Sequence, residues 1–109
     1  MTRFDNFING EWVTSTEYTA NYNPSDLSDV VGEYAQASIS QVNEAIQAAQ
    51  SAFKQWSLAS IQARADALDQ IGTEILKRSR EIGELLAREE GKVLPEAIGE
   101  VTRAGNIFK

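Results

Sequence analysis

The hydrophobic period of this chain changes once, at Ser38, and the change separates two kinds of structure. Before Ser38 the apolar residues stand in short runs between turn-forming residues, which is typical of strands. After Ser38 they recur every three to four residues, which is typical of amphipathic helices. The pattern predicts an α+β segment, with strands and a hairpin over residues 1–37 and about four helices over residues 38–109.

The dipeptide Asn9-Gly10 predicts a tight hairpin, because both residues tolerate the positive φ that a type I′ turn requires. Apolar pairs flank it on both sides, namely Phe7-Ile8 and Trp12-Val13. Two further strands are predicted over residues 18–22 and 30–35, with a proline-containing turn over residues 23–26 between them.

Four helices are predicted from their start and stop signals. Ser38 and Gln41 form a capping box for the first helix, and a second helix begins near Ser60. Ser79 is the expected N-cap of the third helix, which Gly91 ends. Pro95 suits the first position of the fourth helix, since its missing N–H costs nothing there. The expected inner stripes are Val42, Ala45, Ile46, Ala49, Phe53 and Trp56; Leu68, Ile71 and Ile75; Ile82, Leu85 and Leu86; and Ala97, Ile98, Val101, Ala104 and Phe108.

The apolar stripe of the fourth helix is still running at Phe108, with no Gly or Asn cap behind it. We therefore expect the sequence to be truncated. We also expect exposed apolar helix faces, covered by the remainder of a parent protein or by self-association.

Composition excludes several function classes. The chain has no cysteine and no histidine, which removes thiolate catalysis and the usual zinc ligand sets. A net charge of −6 and dispersed Lys and Arg argue against nucleic acid and against an anionic membrane. No apolar run approaches the length of about 18 residues that spans a bilayer. No signal peptide is visible, and we expect a cytoplasmic location.

The remaining polar residues are interpreted as structural. Gly91-Lys92 lacks the glycine and hydroxyl of a phosphate loop, since Leu86 and Val93 stand in those positions. Ser38, Ser40, Ser60 and Ser79 are interpreted as helix caps. The acids Asp66, Asp69, Glu81, Glu84, Glu89, Glu90, Glu96 and Glu100 are expected on solvated faces, as are the spaced pairs Glu74–Arg78 and Glu84–Arg88. The aromatic residues Tyr18, Tyr22, Tyr34, Phe53, Trp12 and Trp56 are expected in a core or an interface.

Six blocks in a fixed order resemble the N-terminal segment of the aldehyde dehydrogenase superfamily. They are Asn9-Gly10-Glu11-Trp12; Asn23-Pro24; Ile46-Gln47-Ala48-Ala49 through Phe53-Lys54-Gln55-Trp56; Arg64 with Leu68 and Ile71; Arg88-Glu89-Glu90-Gly91-Lys92; and Glu96-Ala97 with Glu100-Val101. The resemblance runs from Phe7 to Phe108. Within the family, residues 91–103 are most similar to the bacterial 2-oxoglutarate semialdehyde (2,5-dioxopentanoate) dehydrogenase branch, and succinate-semialdehyde dehydrogenases share much of that stretch.

This resemblance implies the start of the NAD(P)-binding domain of an α/β enzyme. Family members oxidise an aldehyde through a cysteine nucleophile and pass a hydride to NAD or NADP. The residues that do this would follow position 109, so no catalytic, cofactor-binding or metal residue is assigned in this chain. Some members hold a structural cation near the acid before Gly-Lys, here Glu90, and no site is assigned there either. We expect the chain alone to be inactive and to hold no cofactor. The alternative is an autonomous, helix-rich interaction module without enzymatic activity.

Overall fold

The computed structural model describes all 109 residues, and five strands precede four helices. The strands are β1 (Arg3–Phe4), β2 (Asn6–Ile8), β3 (Glu11–Val13), β4 (Tyr18–Asn23) and β5 (Asp26–Ala35). The helices are α1 (Ile39–Leu58), α2 (Ile61–Lys77), α3 (Ser79–Glu90) and α4 (Leu94–Phe108). This order confirms the predicted α+β class. None of the helices has the length and apolarity needed to cross a membrane.

The chain divides into two compact units. The first contains Met1–Tyr22 and Val30–Ala59, and therefore the β2–β3 hairpin and α1. The second contains Asn23–Asp29 and Ser60–Lys109, and therefore the tip of the β4–β5 hairpin and the other three helices.

The Asn9-Gly10 turn confirms the predicted hairpin in the first unit. Asn9 has φ 53° and Gly10 has φ 80°, so both adopt the left-handed region that a type I′ turn requires. The two strands pair in antiparallel fashion with Phe7 opposite Trp12, and their ring centroids lie 4.9 Å apart. The turn sets the register of the two strands, and the contact between Phe7 and Trp12 stabilises that register.

A three-stranded sheet in the order β1-β5-β4 includes one strand that the sequence does not predict. β1 runs parallel to β5, and Phe4 stacks on Tyr34 with 4.9 Å between ring centroids. Gly32 makes this possible, since a Cβ at that position would lie 2.6 Å from the Phe4 ring. A two-residue strand is too short to show a period, which is why the pattern missed it.

β5 also begins four residues before the predicted start at Val30. The turn is confined to Pro24 and Ser25, because the Asn23 side chain accepts the Ser25 N–H at 2.9 Å and closes it locally. Asp26 is therefore free to begin the strand.

The capping box at the start of α1 is confirmed. Ser38 Oγ accepts the Gln41 N–H, and the Gln41 side chain accepts the Ser38 N–H, each at 3.1 Å. No residue of α1 is buried, although its apolar stripe lies where the pattern predicts. Phe53, for example, is 67% exposed. The chain therefore forms this amphipathic helix without covering its apolar face.

The core of the second unit lies where α4 packs on α2 and α3. Ala97 is fully buried and Val101 is 5% exposed, which confirms the middle of the predicted α4 stripe. Ile98 packs against Gly83 of α3, where a Cβ would come within 2.7 Å. Phe108, in contrast, is exposed. Small residues therefore make up the buried face.

The predicted inner stripe of α2 is wrong in part. Gly72 is buried against α4, with Leu76 beside it, whereas Leu68 and Ile71 are exposed and Ile75 is half-buried. A Cβ on Gly72 would lie 2.6 Å from the carbonyl oxygen of Gly105. The two glycines let the backbones meet, so α4 packs on the glycine-bearing side of α2 rather than on its bulkiest apolar side.

Two predicted helix starts need correction. Ser79 is the first residue of α3 and not its N-cap, because Arg78 alone separates α3 from α2 and forms no side-chain cap. Pro95 is the second residue of α4, since the helix begins at Leu94 after Val93 as N-cap. The Gly91 stop is confirmed by its left-handed conformation, with φ 70°.

Gly72→Ala should destabilise the second unit by about 1–3 kcal/mol, because the new methyl group would push the backbones of α2 and α4 apart. Gly99→Ala is the matched control, since nothing lies within 4 Å of a Cβ at that helical position. The control should stabilise the chain by about 0.5–1 kcal/mol. Urea unfolding followed by circular dichroism measures both, and a Gly72→Ala midpoint at or above that of the wild type would contradict the close approach.

Gly10→Val should destabilise the hairpin by about 1–3 kcal/mol, because a β-branched residue is strained at positive φ. No atom lies within 4 Å of a Cβ at this position, so the cost is purely conformational. Gly10→Asn should cost much less, since asparagine tolerates the left-handed region. Equal melting temperatures for the two variants would show that φ does not limit this position.

Candidate functional site

Of the four serines interpreted as helix caps, Ser38 and Ser60 hold that position, whereas Ser40 and Ser79 lie inside helices. Ser38 accepts the Gln41 N–H and Ser60 accepts the Ala63 N–H, at 3.1 Å and 3.0 Å, which confirms both as caps. Ser40 lies inside α1, where its hydroxyl donates to the exposed Glu44 at 3.5 Å. The sequence contains no histidine, so no imidazole base exists to activate any of them.

All eight acids expected on solvated faces are exposed. Several of them pair with cations, and the Arg78 guanidinium lowers the pKa of Glu81. A general acid needs a shift in the opposite direction. The residues of the two i,i+4 pairs are exposed or half-buried, and the bidentate partners of their arginines are Glu81 for Arg78 and Asp29 for Arg88. Glu84 forms its ion pair with Arg80, whose Nε lies 3.1 Å from Glu84 Oε1.

Lys92 is held between two carboxylates. Its amine bonds to Glu100 and lies 3.1 Å from Glu90, and these contacts raise the pKa of Lys92. A lysine whose pKa is raised stays protonated and cannot serve as a base or a nucleophile. Glu90 is therefore engaged in an ion pair, and no group of three or more acidic side chains could hold a metal ion.

A polar cluster of the second unit centres on Asp29. Arg88 donates to both carboxylate oxygens of Asp29, at 2.6 Å and 2.9 Å, and Asn23 donates a third bond at 3.1 Å. These bonds, with that from Arg88 the largest, lower the pKa of Asp29 from 3.8 to about 2. Nearby, Ser25 Oγ donates to the Gly91 carbonyl at 3.3 Å.

This cluster, which we call the Asp29 clasp (Asp29, Arg88, Asn23), fastens the β4–β5 hairpin tip to α3. Bidentate pairing of arginine with a carboxylate fixes both distance and angle. The contact holds the backbone of the hairpin tip against α3, and its three side chains bond to one another rather than being presented for a reaction. Sequence reasoning missed it, although Asn23-Pro24 and the block that begins at Arg88 both belong to the resemblance described above.

An open groove lies between the β2–β3 hairpin and α1 in the first unit. Its two parts hold about 440 and 350 Å³. The lining combines Phe7 and Ile8 with four alanines of α1, and two carboxylates, Glu11 and Glu44, stand at one part. The first part is also lined by Asn9, Gln47 and Ser51, so the groove is partly polar. The chain has no histidine that could activate Ser51, and the groove offers no catalytic set.

The chain matches the family model described as "Aldehyde dehydrogenase family" over residues 12–109. The chain belongs to this family. The α-ketoglutarate semialdehyde dehydrogenase of Haloferax volcanii is 41% identical over 105 residues, which cover 94% of this chain and 22% of that relative. The malonate-semialdehyde dehydrogenase of Lacticaseibacillus casei is 39% identical over 100 residues, covering 90% of this chain and 20% of that relative.

Solved structures of aldehyde dehydrogenases have the same fold over this stretch. The NADP-dependent glyceraldehyde-3-phosphate dehydrogenase of Bacillus halodurans, complexed with NADP, superposes with a TM-score of 0.94 at 34% identity. The match covers 98% of this chain and 23% of that structure. The Thermus thermophilus 1-pyrroline-5-carboxylate dehydrogenase gives a TM-score of 0.94 at 33% identity, over 98% of this chain and 21% of its own. The predicted family and fold are confirmed, and the chain spans a minor share of each relative's length.

Asp29→Asn should remove a pH-dependent part of the stability. The folded-state pKa of Asp29 lies at about 2 and its ordinary value is 3.8. The ion pair therefore stabilises the fold above pH 3.8, and this contribution is lost as the pH falls towards 2. The melting-temperature difference between wild type and Asp29→Asn should be largest above this window and should shrink within it. A difference independent of pH would contradict the assignment.

Proposed function

We propose that this chain forms the amino-terminal part of the cofactor-binding domain of an NAD(P)-dependent aldehyde dehydrogenase, which oxidises an aldehyde to a carboxylic acid. The observation that supports it is the agreement of sequence and structure over the same residues. The family model matches residues 12–109, and the fold superposes at a TM-score of 0.94 on a structure that contains NADP.

For the substrate we propose 2-oxoglutarate semialdehyde. Two relatives are named for this compound under its other name, α-ketoglutarate semialdehyde. They are the enzymes of Haloferax volcanii, at 41% identity, and of Bacillus subtilis, at 37%. The malonate-semialdehyde enzyme at 39% is the competing choice. We further propose a cytoplasmic, oligomeric parent enzyme.

The residues of this chain do not by themselves fit a nicotinamide dinucleotide. Pyrophosphate binding at a helix start needs free backbone N–H groups. Ser38 and Ser60 already engage such groups at α1 and α2, and Lys92 is paired with carboxylates. The starts of α3 and α4 have no side-chain cap, but the chain contains no three-glycine fingerprint that would bring a pyrophosphate against either of them. The chain therefore contributes a scaffold, with hydride transfer and thiolate chemistry assigned to the rest of the enzyme. On this proposal, the remainder of the parent polypeptide is its principal partner.

A chimera tests the proposal directly. The Bacillus subtilis α-ketoglutaric semialdehyde dehydrogenase aligns with this chain over 106 residues, and that segment would be replaced by the chain. We expect the chimera to reduce NAD or NADP in the presence of 2-oxoglutarate semialdehyde, and the isolated chain to show no such activity, because it lacks a nucleophile. The substrate choice is tested on the whole parent enzyme, assayed with 2-oxoglutarate semialdehyde and malonate semialdehyde in parallel.

The control is the same relative with the segment deleted, which should be inactive. A folded chimera without activity would contradict the scaffold role. An isolated chain that unfolds cooperatively as a monomer and binds no hydrophobic dye would favour the autonomous interaction module instead.

A further inference from the structure

The turn residue Asn9 is the only asparagine of the chain that precedes a glycine. Asn9 and Gly10 are both exposed, and a Cβ at Gly10 would find no atom within 4 Å. No hydrogen bond involves the side-chain amide of Asn9 or the backbone N–H of Gly10. An unhindered backbone nitrogen therefore follows a free side-chain amide, and these are the two groups that an internal cyclisation joins.

The closed turn keeps these two groups apart. Asn9 has φ 53° and Gly10 has φ 80°, as in a type I′ turn. In such a turn the ψ angle of the first central residue is about +30°. The Gly10 nitrogen then lies nearly opposite Cβ of Asn9 about the Cα–C bond, whereas a five-membered ring needs the two atoms nearly eclipsed. Asn9 is therefore unreactive until the turn opens.

The hairpin that carries this turn is held closed weakly. β2 and β3 form a two-stranded sheet of their own, with three residues in each strand. Phe7 is 61% exposed and Trp12 71%, so their contact buries little apolar surface. An open groove lies between the hairpin and α1. Because a two-stranded hairpin is at best marginally stable in water, we expect it to open locally while the rest of the unit stays folded.

We propose that Asn9 is a site of spontaneous deamidation, with water as the only co-reactant, and that opening of the β2–β3 hairpin controls its rate. The Gly10 nitrogen gives up its proton and attacks Cγ of Asn9. A C–N bond forms, the bond from Cγ to Nδ2 breaks, and the amide leaves as ammonia with a proton. Water then opens the cyclic imide, so the overall change consumes one water and releases one ammonia. The reaction needs only this chain and water, and it does not depend on the proposed function.

The two products of ring opening differ in their effect on the turn. Water at Cγ restores the main chain and leaves aspartate, and Asp-Gly suits a type I′ turn as Asn-Gly does. Water at the main-chain carbonyl leaves isoaspartate, whose chain to Gly10 runs through Cβ and Cγ. The extra methylene does not fit a two-residue loop, so Phe7 and Trp12 lose their pairing. The isoaspartate form therefore keeps the hairpin open.

Incubation of the 109-residue chain at mildly alkaline pH, followed by peptide mass spectrometry, tests the site. The peptide that contains Asn9 should gain the mass difference between an amide and an acid. Asn43 and Asn106 are the internal controls, because both are exposed but precede Glu44 and Ile107 within helices. Both should stay unchanged over the same period. Conversion of Asn9 that does not exceed theirs would overturn the proposal.

The nature of the product tests the cyclic route. Direct hydrolysis of the side chain gives aspartate alone, whereas the imide gives aspartate and isoaspartate together. An isoaspartate-specific methyltransferase should therefore label the deamidated chain, and it should leave the Asn9→Asp variant unlabelled. Deamidated chain without isoaspartate would overturn the attack by Gly10.

Trp12→Ala tests whether opening controls the rate. It removes the partner of Phe7 and should raise the deamidation rate of Asn9 by a factor of about 2 to 5, which corresponds to one cross-strand pair. Gly72→Ala is the matched control, since it weakens the second unit and leaves the hairpin unchanged. A synthetic peptide of residues 5–15, which is too short for a stable hairpin, should react fastest. Equal rates in the wild type, Trp12→Ala and the peptide would show that opening does not control the reaction.

Discussion

The close approach of α2 and α4 at Gly72 and Gly105 is the contact on which the second unit depends. Because neither residue has a side chain, the carbonyl oxygen of Gly105 occupies the space where a Cβ of Gly72 would stand. Leu76 in turn fills the space beside Gly105. Backbones that meet in this way gain many dispersion contacts without large side chains. The contact also fixes which side of each helix can be buried.

From this contact the rest of the small core follows. With α4 held against α2, Ala97 and Val101 are turned inward, and Ile98 rests on Gly83 of α3. No large side chain of the chain is fully buried. The bulky apolar residues Leu68 and Ile71 of α2 consequently remain exposed, because Gly72 lies on the side of the helix that packs against α4. A core built in this way holds three helices together while leaving a second apolar surface available.

Sequence reasoning succeeded where one local interaction decides the structure. The Asn9-Gly10 turn and the Ser38–Gln41 capping box each depend on residues a few positions apart, and both were predictable from those residues alone. It failed where tertiary packing decides. Periodicity showed that α2 is amphipathic, and it favoured Leu68 and Ile71 as the buried residues, because it gives weight to side-chain size. Periodicity gives no weight to glycine, although Gly72 determines which side of α2 packs against α4.

The Asp29 clasp was unpredictable for a related reason. Arg88 had an acid four residues away on its own helix, Glu84, and local spacing favoured that pair. The hairpin tip instead presents Asp29 already fixed by Asn23, which offers both carboxylate oxygens at once. A pre-positioned acceptor costs less conformational entropy than a mobile helix side chain. The distant pair is therefore preferred, and only the folded hairpin reveals it.

The chain belongs to a family of enzymes although it contains no cysteine and no histidine, and its structure explains how both can hold. A thiolate, a cofactor and a water-activating base need a desolvated cleft. The second unit has no fully buried large side chain, and its polar clusters are ion pairs that hold backbone segments together. On our proposal, such a segment supports a site formed elsewhere in the enzyme.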